Sequence, residues 1–488
     1  MSGQAPLLLG IDEGTTAVKA TLLEPDLTPL AEARQPVATS HPSPGFVEQD
    51  AEEVLAAVAA AVAEVLSEAD ARPVVAGLAH QGESVLAWDA RDGRPLTPIV
   101  TWQDKRQESL LAEIDTAAVG VTGLPLDPYF SAGKLAWLVT QDAAVAAARD
   151  SGHLRMGTVD AFLADRLGGR FATDLSTASR TLLLALGGRD WDEGLLELFG
   201  LRREWLPAVG PTFGALGDLR HASWPAAVSL CAQLVDQQAA LAGSGAIEPG
   251  EVKATYGTGV FVLGRTAGVE RAKGLLATVA WATPGADGNV GEIAYALDGG
   301  VFAAGALLEW MANDLGLATD VPSFTALAAT VSDSAGAMLL PALAGLGSPW
   351  WRPEARAVIA GLHGGVRPAH LARAALEAIA WRVADVVETM ATQMPVRSLR
   401  VDGGLTRDPT LLQIQADALG LPLSVGRADT TALGAALLAG LGAGTFSSLM
   451  EAVAHLPGER IVTPAGDPAA RELTRERWRR FVSTAATL

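Results

Sequence analysis

Residues 7–24 read LLLGIDEGTTAVKATLLE. Leu7, Leu8, Leu9 and Ile11 form one apolar run, and Val18, Ala20, Leu22 and Leu23 form another. Two short apolar runs around a polar turn read as strand, turn, strand. The turn holds Asp12, Glu13, Gly14, Thr15 and Thr16. A glycine lets backbone N–H groups approach an anion, and threonine hydroxyls add donors. An aspartate ending a buried strand beside such donors can hold a metal ion that touches phosphate oxygens. The stretch therefore reads as a phosphate loop. It reads equally well as a hairpin whose turn favours Gly and Thr. Glu13 fits neither reading, because a carboxylate beside phosphates must point away from them or meet the metal.

The rest of the chain narrows the choice. At 488 residues it exceeds one ordinary domain, and its 49% apolar content can fill large cores. The net charge of −19 argues against a surface built for nucleic acid or anionic membrane. The one cysteine, Cys231, rules out an intrachain disulfide framework and reads as a small buried hydrophobe. No basic leader precedes the first apolar run, and the Ala-rich segment 54–66 is too short to span a bilayer. The expectation is a cytoplasmic protein with no nucleic-acid or membrane partner. Strands and helices mix through the first hundred residues, as an α/β domain requires. Ligands in such sheets bind beyond the carboxyl ends of strands. Candidate sites are thus the polar clusters that follow strands: His80–Ser84, Trp102 and its neighbours, and Asp236–Gln238. Asp236 alone reads as readily as a helix N-cap.

Residues 242–250, AGSGAIEPG, are small and polar and make the best domain boundary. Beyond them, residues 251–263, EVKATYGTGVFVL, repeat the opening shape of strand, glycine turn and strand. Two halves that each open on such a turn suggest an internally duplicated fold. No zinc-type histidine spacing, nucleophile elbow or Walker lysine loop appears.

Two longer stretches carry a family resemblance. They are YFSAGKLAWLVTQ at 129–141 and AVIAGLHGGVRPAHLARAALE at 357–377. Both resemble the signatures of the FGGY carbohydrate kinases. GTVDAFL, DPYF, ATYGTGVF and RVDGGL resemble the glycerol kinases within that family. The resemblance implies two actin-like (ribonuclease H-like) α/β domains, 1–245 and 246–488, with an interdomain cleft. The first would bind the acceptor and carry the first phosphate loop, and the second would bind ATP. Asp236 matches the general base, and Asp12 the residue near Mg2+. Thr15, Thr16 and Lys19 match the first phosphate loop, and Thr258 the second. Gly305, Glu309, Gly404 and Asp408 match nucleoside-side positions. Lys19, Glu309 and Asp408 stand where Arg, Gln and Asn are usual. Gln81, Glu83, Trp102, Tyr129, Asp236, Gln237 and Phe261 match the acceptor pocket.

Two departures concern that pocket. Gly82 stands where an arginine is usual, and Val235 where a glycine is usual. Loss of the arginine is expected to open space and to favour an acceptor larger than glycerol. The expected activity is ATP-dependent phosphorylation of a small polyol or sugar. The alternatives are a kinase of a larger ketose or polyol such as xylulose or erythritol, a non-catalytic sugar- or nucleotide-binding protein, and an ATP hydrolase. A homo-oligomer is compatible with the sequence, which does not fix the state.

Overall fold

The computed structural model describes residues 5–70, 72–426 and 429–487. The chain forms two compact units. The first comprises residues 1–247, Ala277–Ala296 and Thr430–Leu456. The second comprises Glu248–Leu276, Leu297–Asp429 and Pro457–Leu488. Among the described residues no helix is long and apolar enough to cross a membrane.

The first unit is built on a six-stranded sheet. Its order is Phe213–Leu219, Val228–Val235, Val74–His80, Leu7–Glu13, Ala17–Leu23 and Pro29–Pro36. Leu7–Glu13 pairs antiparallel with Ala17–Leu23 and parallel with Val74–His80, which in turn runs parallel to Val228–Val235. Leu7, Leu8, Leu9 and Ile11 have no exposed surface. The strand is covered on both faces, which is why it reads as a continuous apolar run rather than an alternation. Helix Ala51–Leu66, capped by Asp50 through the Glu52 and Glu53 amides, packs on this sheet. Its Val54, Val58, Val62 and Val65 join the core beneath Leu9 and Ile11. Each such fully buried side chain contributes roughly 1.5–3 kcal/mol.

Helix Thr430–Gly442 also packs on the sheet and on helix Asp236–Gly243. Its residues are small because the backbones nearly touch. A Cβ on Gly10 would lie 1.9 Å from the Ala432 carbonyl oxygen, and one on Gly434 would lie 1.8 Å from that of Ala239.

In the second unit, strands Val260–Thr266, Glu251–Tyr256, Ser398–Asp402, Leu423–Val425 and Arg460–Val462 are neighbours in that order. Glu251–Tyr256 pairs antiparallel with Val260–Thr266 and parallel with Ser398–Asp402. This repeats the arrangement of the opening hairpin and its parallel neighbour in the first unit. After Phe302 the chain forms helix Gly305–Glu309, which widens into a π turn over Trp310–Asp314. Trp350 and Trp351 are half-buried in their loop, and their indole N–H groups donate to Asp385 and to the Gly274 carbonyl.

Candidate active site

Three parallel strands of the first unit end side by side. Glu13 is in register with His80, and Val235 with His80 from the other side. The residues that leave these strands therefore share one edge of the sheet: Asp12 and Glu13, Gln81 to Glu83, and Asp236. This is where open α/β sheets hold their ligands.

Glu13 is fully buried and points away from the turn. It accepts hydrogen bonds from the Gln81 side-chain amide at 2.7 Å and the Gln81 backbone N–H at 3.2 Å. Burial pushes its carboxyl well above the usual range. The Gln81 donors oppose this rise, while the charges of Asp12 and Asp236 add to it. Gln81 also donates to Gln49 Oε1 at 2.8 Å and accepts from the Ser84 hydroxyl at 3.0 Å. Its side chain is thus buried and engaged by Glu13, Gln49 and Ser84. Gln49 donates to the Thr15 carbonyl at 2.7 Å, and the Trp102 indole donates to the Thr15 hydroxyl at 3.0 Å. The polar turn is therefore pinned by Gln49 and Trp102. Lys19 stands in register with Asp12 across the hairpin. Thr16 is exposed.

Glu83 is buried with a φ of +62°, a left-handed conformation that side chains other than glycine rarely adopt. Its Oε1 accepts from Arg180 Nε at 2.6 Å. Burial raises the Glu83 carboxyl. Arg180 and Lys134 lower it, and Asp236 raises it further. The Arg180 guanidinium lies 5.8 Å from the Tyr129 ring centroid and 5.6 Å from that of Phe130. Tyr129 meets Trp102 edge to face at 5.7 Å. Lys134 is fully buried, and its ammonium donates to the carbonyls of Pro128, Tyr129 and Phe130 at 2.9, 2.6 and 3.2 Å. Burial pushes its pKa down to about 7, against the pull of Glu83, Asp104 and Asp127. Lys134 thereby ties the loop that presents Tyr129 to helix Ser131–Gln141.

Asp236 is half-buried and is the first residue of helix Asp236–Gly243, whose N-cap is Val235. Its carboxylate accepts the Gln237 N–H at 2.6 Å, so it is not a helix cap of the usual kind. Gln237 is half-buried beside it. A Cβ built on Gly82 would lie 2.9 Å from Val235 Cγ1. The Val235 isopropyl group therefore lies directly against Gly82.

The structure brings Thr15, Gln81, Glu83, Trp102 and Tyr129 into one connected cluster, with Asp236 electrostatically coupled to Glu83 and Glu13. Gln49, Lys134 and Arg180 belong to the same cluster and were not singled out from the sequence. Lys134 lies inside the YFSAGKLAWLVTQ stretch, which gave a signal for it. Arg180 lies in no recognised motif.

The remaining candidates lie in the second unit. Thr258 is exposed at the turn between Glu251–Tyr256 and Val260–Thr266. Its carbonyl accepts the N–H groups of Ala304 and Ala306, and the Gly257 carbonyl accepts that of Gly305. A Cβ on Gly259 would lie 2.6 Å from the Val301 carbonyl oxygen, and one on Gly305 would lie 2.6 Å from that of Gly257. The turn and the start of helix Gly305–Glu309 therefore form a cradle that only glycines permit. Phe261 is half-buried on the strand that follows, and Glu309 is exposed. Gly404 is exposed with open space around it, on the short helix after Ser398–Asp402. Asp408 caps helix Pro409–Leu419 through the Thr410 N–H at 2.7 Å, which gives it a structural task.

Among the described residues no group of three or more His, Cys, Asp or Glu side chains forms a metal cage. Mg2+ in phosphoryl-transfer sites takes one or two carboxylates, waters and phosphate oxygens, so such a cage is not required. Asp12, at the end of strand Leu7–Glu13, fits that smaller donor set.

The sequence matches the FGGY family of carbohydrate kinases, N-terminal domain, over residues 7–243. It matches the C-terminal domain of the same family over residues 252–443. A glycerol kinase of Geobacter sp. (strain M21) is 40% identical over 97% of this chain and 98% of its own. A glycerol kinase of Saccharolobus islandicus (strain M.14.25 / Kamchatka #1) is 38% identical over 91% of this chain and 89% of its own. Among solved structures, Plasmodium falciparum glycerol kinase with ADP superposes with a TM-score of 0.92 at 27% identity, over 99% of each chain. A xylulose kinase from Lactobacillus acidophilus reaches a TM-score of 0.88 at 20% identity, over 99% of each chain, a likeness of fold alone.

Proposed function

The chain belongs to the FGGY family of carbohydrate kinases and is an ATP-dependent kinase of a small polyol or sugar, and we propose that its acceptor is a small polyol of the glycerol type with Asp236 as general base. One observation carries this reading: Asp236 leaves strand Val228–Val235 at the sheet edge that also presents Glu83, and the two carboxyl groups feel each other.

An alcohol is a poor nucleophile, and a carboxylate within hydrogen-bond reach takes its proton as the new phosphorus–oxygen bond forms. Asp236 serves that step. Glu83 accepts hydrogen bonds from neighbouring hydroxyls of the acceptor, and Gln237 adds an amide. The Trp102 and Tyr129 rings pack against its C–H face. Gln81 supports this set from behind by holding Glu13 and, through Ser84, the Trp102 backbone. In the first unit, phosphate contacts are assigned to the hydroxyls and amides of Thr15 and Thr16 with Lys19. In the second unit, Thr258 is assigned to phosphate and the surfaces at Gly305, Glu309, Gly404 and Asp408 to the nucleoside. Asp12 would hold Mg2+, which when bound offsets charge on the phosphate oxygens.

Val235 beside Gly82 favours a small acceptor over a ketose. The test is a coupled ADP-release assay on glycerol and a panel of four- and five-carbon polyols and ketoses. Acceptor-dependent release that is greatest with the smallest polyols is expected. A strong preference for a ketose would replace the acceptor assignment. Release without any acceptor would mark an ATP hydrolase instead.

A further inference from the structure

We propose that Arg180 is a positioning residue of the acceptor site, holding Glu83 as the carboxylate that reads acceptor hydroxyls and thereby setting acceptor affinity. This rests on the acceptor site described under Proposed function.

Glu83 sits in a backbone conformation that costs on the order of 1 kcal/mol or more for a side-chain-bearing residue. Something must hold it there. Its carbonyl accepts the Ser131 hydroxyl at 3.2 Å, and its carboxylate accepts Arg180 Nε at 2.6 Å. Both ionic side chains are about 5% exposed or less. An ion pair buried to that degree is weak evidence for stability, because desolvation offsets most of the Coulombic gain. Its placement is what matters: the same guanidinium lies beside the Tyr129 ring. Arg180 therefore touches two members of the proposed acceptor set from outside it. The neighbouring position cannot supply this group, since Gly82 has no side chain.

The charge balance adds a signature that a merely structural pair would lack. The charged groups that act on Glu83 are Arg180, Lys134 and Asp236. Burial raises its pKa, the two cations lower it and Asp236 raises it. Removing Arg180 leaves Lys134 as the cation opposing burial and Asp236. The Glu83 carboxyl then stays protonated to higher pH, and a protonated carboxyl offers acceptor hydroxyls one fewer acceptor oxygen.

The experiment compares wild type, Arg180→Lys, Arg180→Gln and Arg180→Gln/Glu83→Gln on the acceptor that wild type turns over best. It measures KM for acceptor and for ATP, kcat and Tm between pH 6 and 9. Arg180→Gln is expected to raise the acceptor KM roughly 10- to 100-fold at pH 7, the usual effect of losing a charge-assisted hydrogen bond. kcat and the ATP KM should stay within about threefold. The acceptor KM should fall again toward pH 9, Arg180→Lys should recover part of the loss, and the double variant should show a flat KM profile. An unchanged acceptor KM would overturn the proposal. So would equal losses in kcat and both KM values with a flat pH profile in Arg180→Gln, or an Arg180→Lys variant that is folded and no better than Arg180→Gln. Failure of the small-polyol reading appears separately, in the acceptor preference of wild type.

Discussion

Asp236→Asn is the perturbation on which the proposed chemistry depends most. The amide keeps the size of the carboxylate, and its Oδ1 can still accept the Gln237 N–H that Asp236 takes at 2.6 Å. Asp236 is half-buried and begins a helix, so the structural loss includes a favourable charge at the helix N-terminus. That loss is about 0.3–1 kcal/mol. It is partly returned, because Asp236 raises the carboxyl groups of both Glu83 and Glu13. Removing its charge relieves two buried carboxyls, so folding stability should change by less than ~1 kcal/mol. The chemical loss is far larger. A positioned general base contributes typically 10²- to 10⁴-fold, equivalent to about 2.7–5.5 kcal/mol in the barrier. The acceptor KM should not rise, since Glu83 remains and is more readily ionised. The expected result is kcat lower by roughly two to four decades, acceptor KM within a few-fold, and ATP affinity by calorimetry near wild type. A kcat within about fivefold of wild type would refute the assignment of Asp236 as base.

Three further outcomes follow from the same geometry. Lys134→Met removes the donor to three carbonyls and should cost about 1–3 kcal/mol in denaturant unfolding, with a raised acceptor KM from the loosened Tyr129 loop. Its native pKa of about 7 lies below the unfolded value near ~10.4, so the unfolded chain binds the extra proton between them and stability rises with pH there. The variant should lose that rise between pH 7 and 9, and an unchanged slope would remove Lys134 as its source. Gly82→Ala should destabilise by roughly 1–3 kcal/mol through the Val235 contact, and Val235→Ala should relieve it; additive effects in a double-mutant cycle would show that the two do not meet. Gly434→Ala places a methyl group against the Ala239 backbone and should lower Tm or abolish folding, so a wild-type Tm would contradict the close packing of helix Thr430–Gly442.

Much of this molecule was legible from residue order. Hairpins Leu7–Glu13/Ala17–Leu23 and Glu251–Tyr256/Val260–Thr266 announce themselves as apolar runs around glycine turns, because burial on both faces and tight turns both leave local marks. Asp236 at a strand end and Tyr129 in a long recognisable stretch are also local features. What the sequence left open are pairings between residues far apart in the chain. Glu13 had no role until the fold buried it against Gln81, 68 residues away. Arg180 reaches Glu83 across 97 residues and carries no periodic or spacing signal. Val235 lying against Gly82 depends on strands Val74–His80 and Val228–Val235 being neighbours in register. Local propensity and hydrophobic period specify which segments form and which face is buried. The partner each buried polar group meets is set by strand order and register, which are properties of the closed tertiary structure.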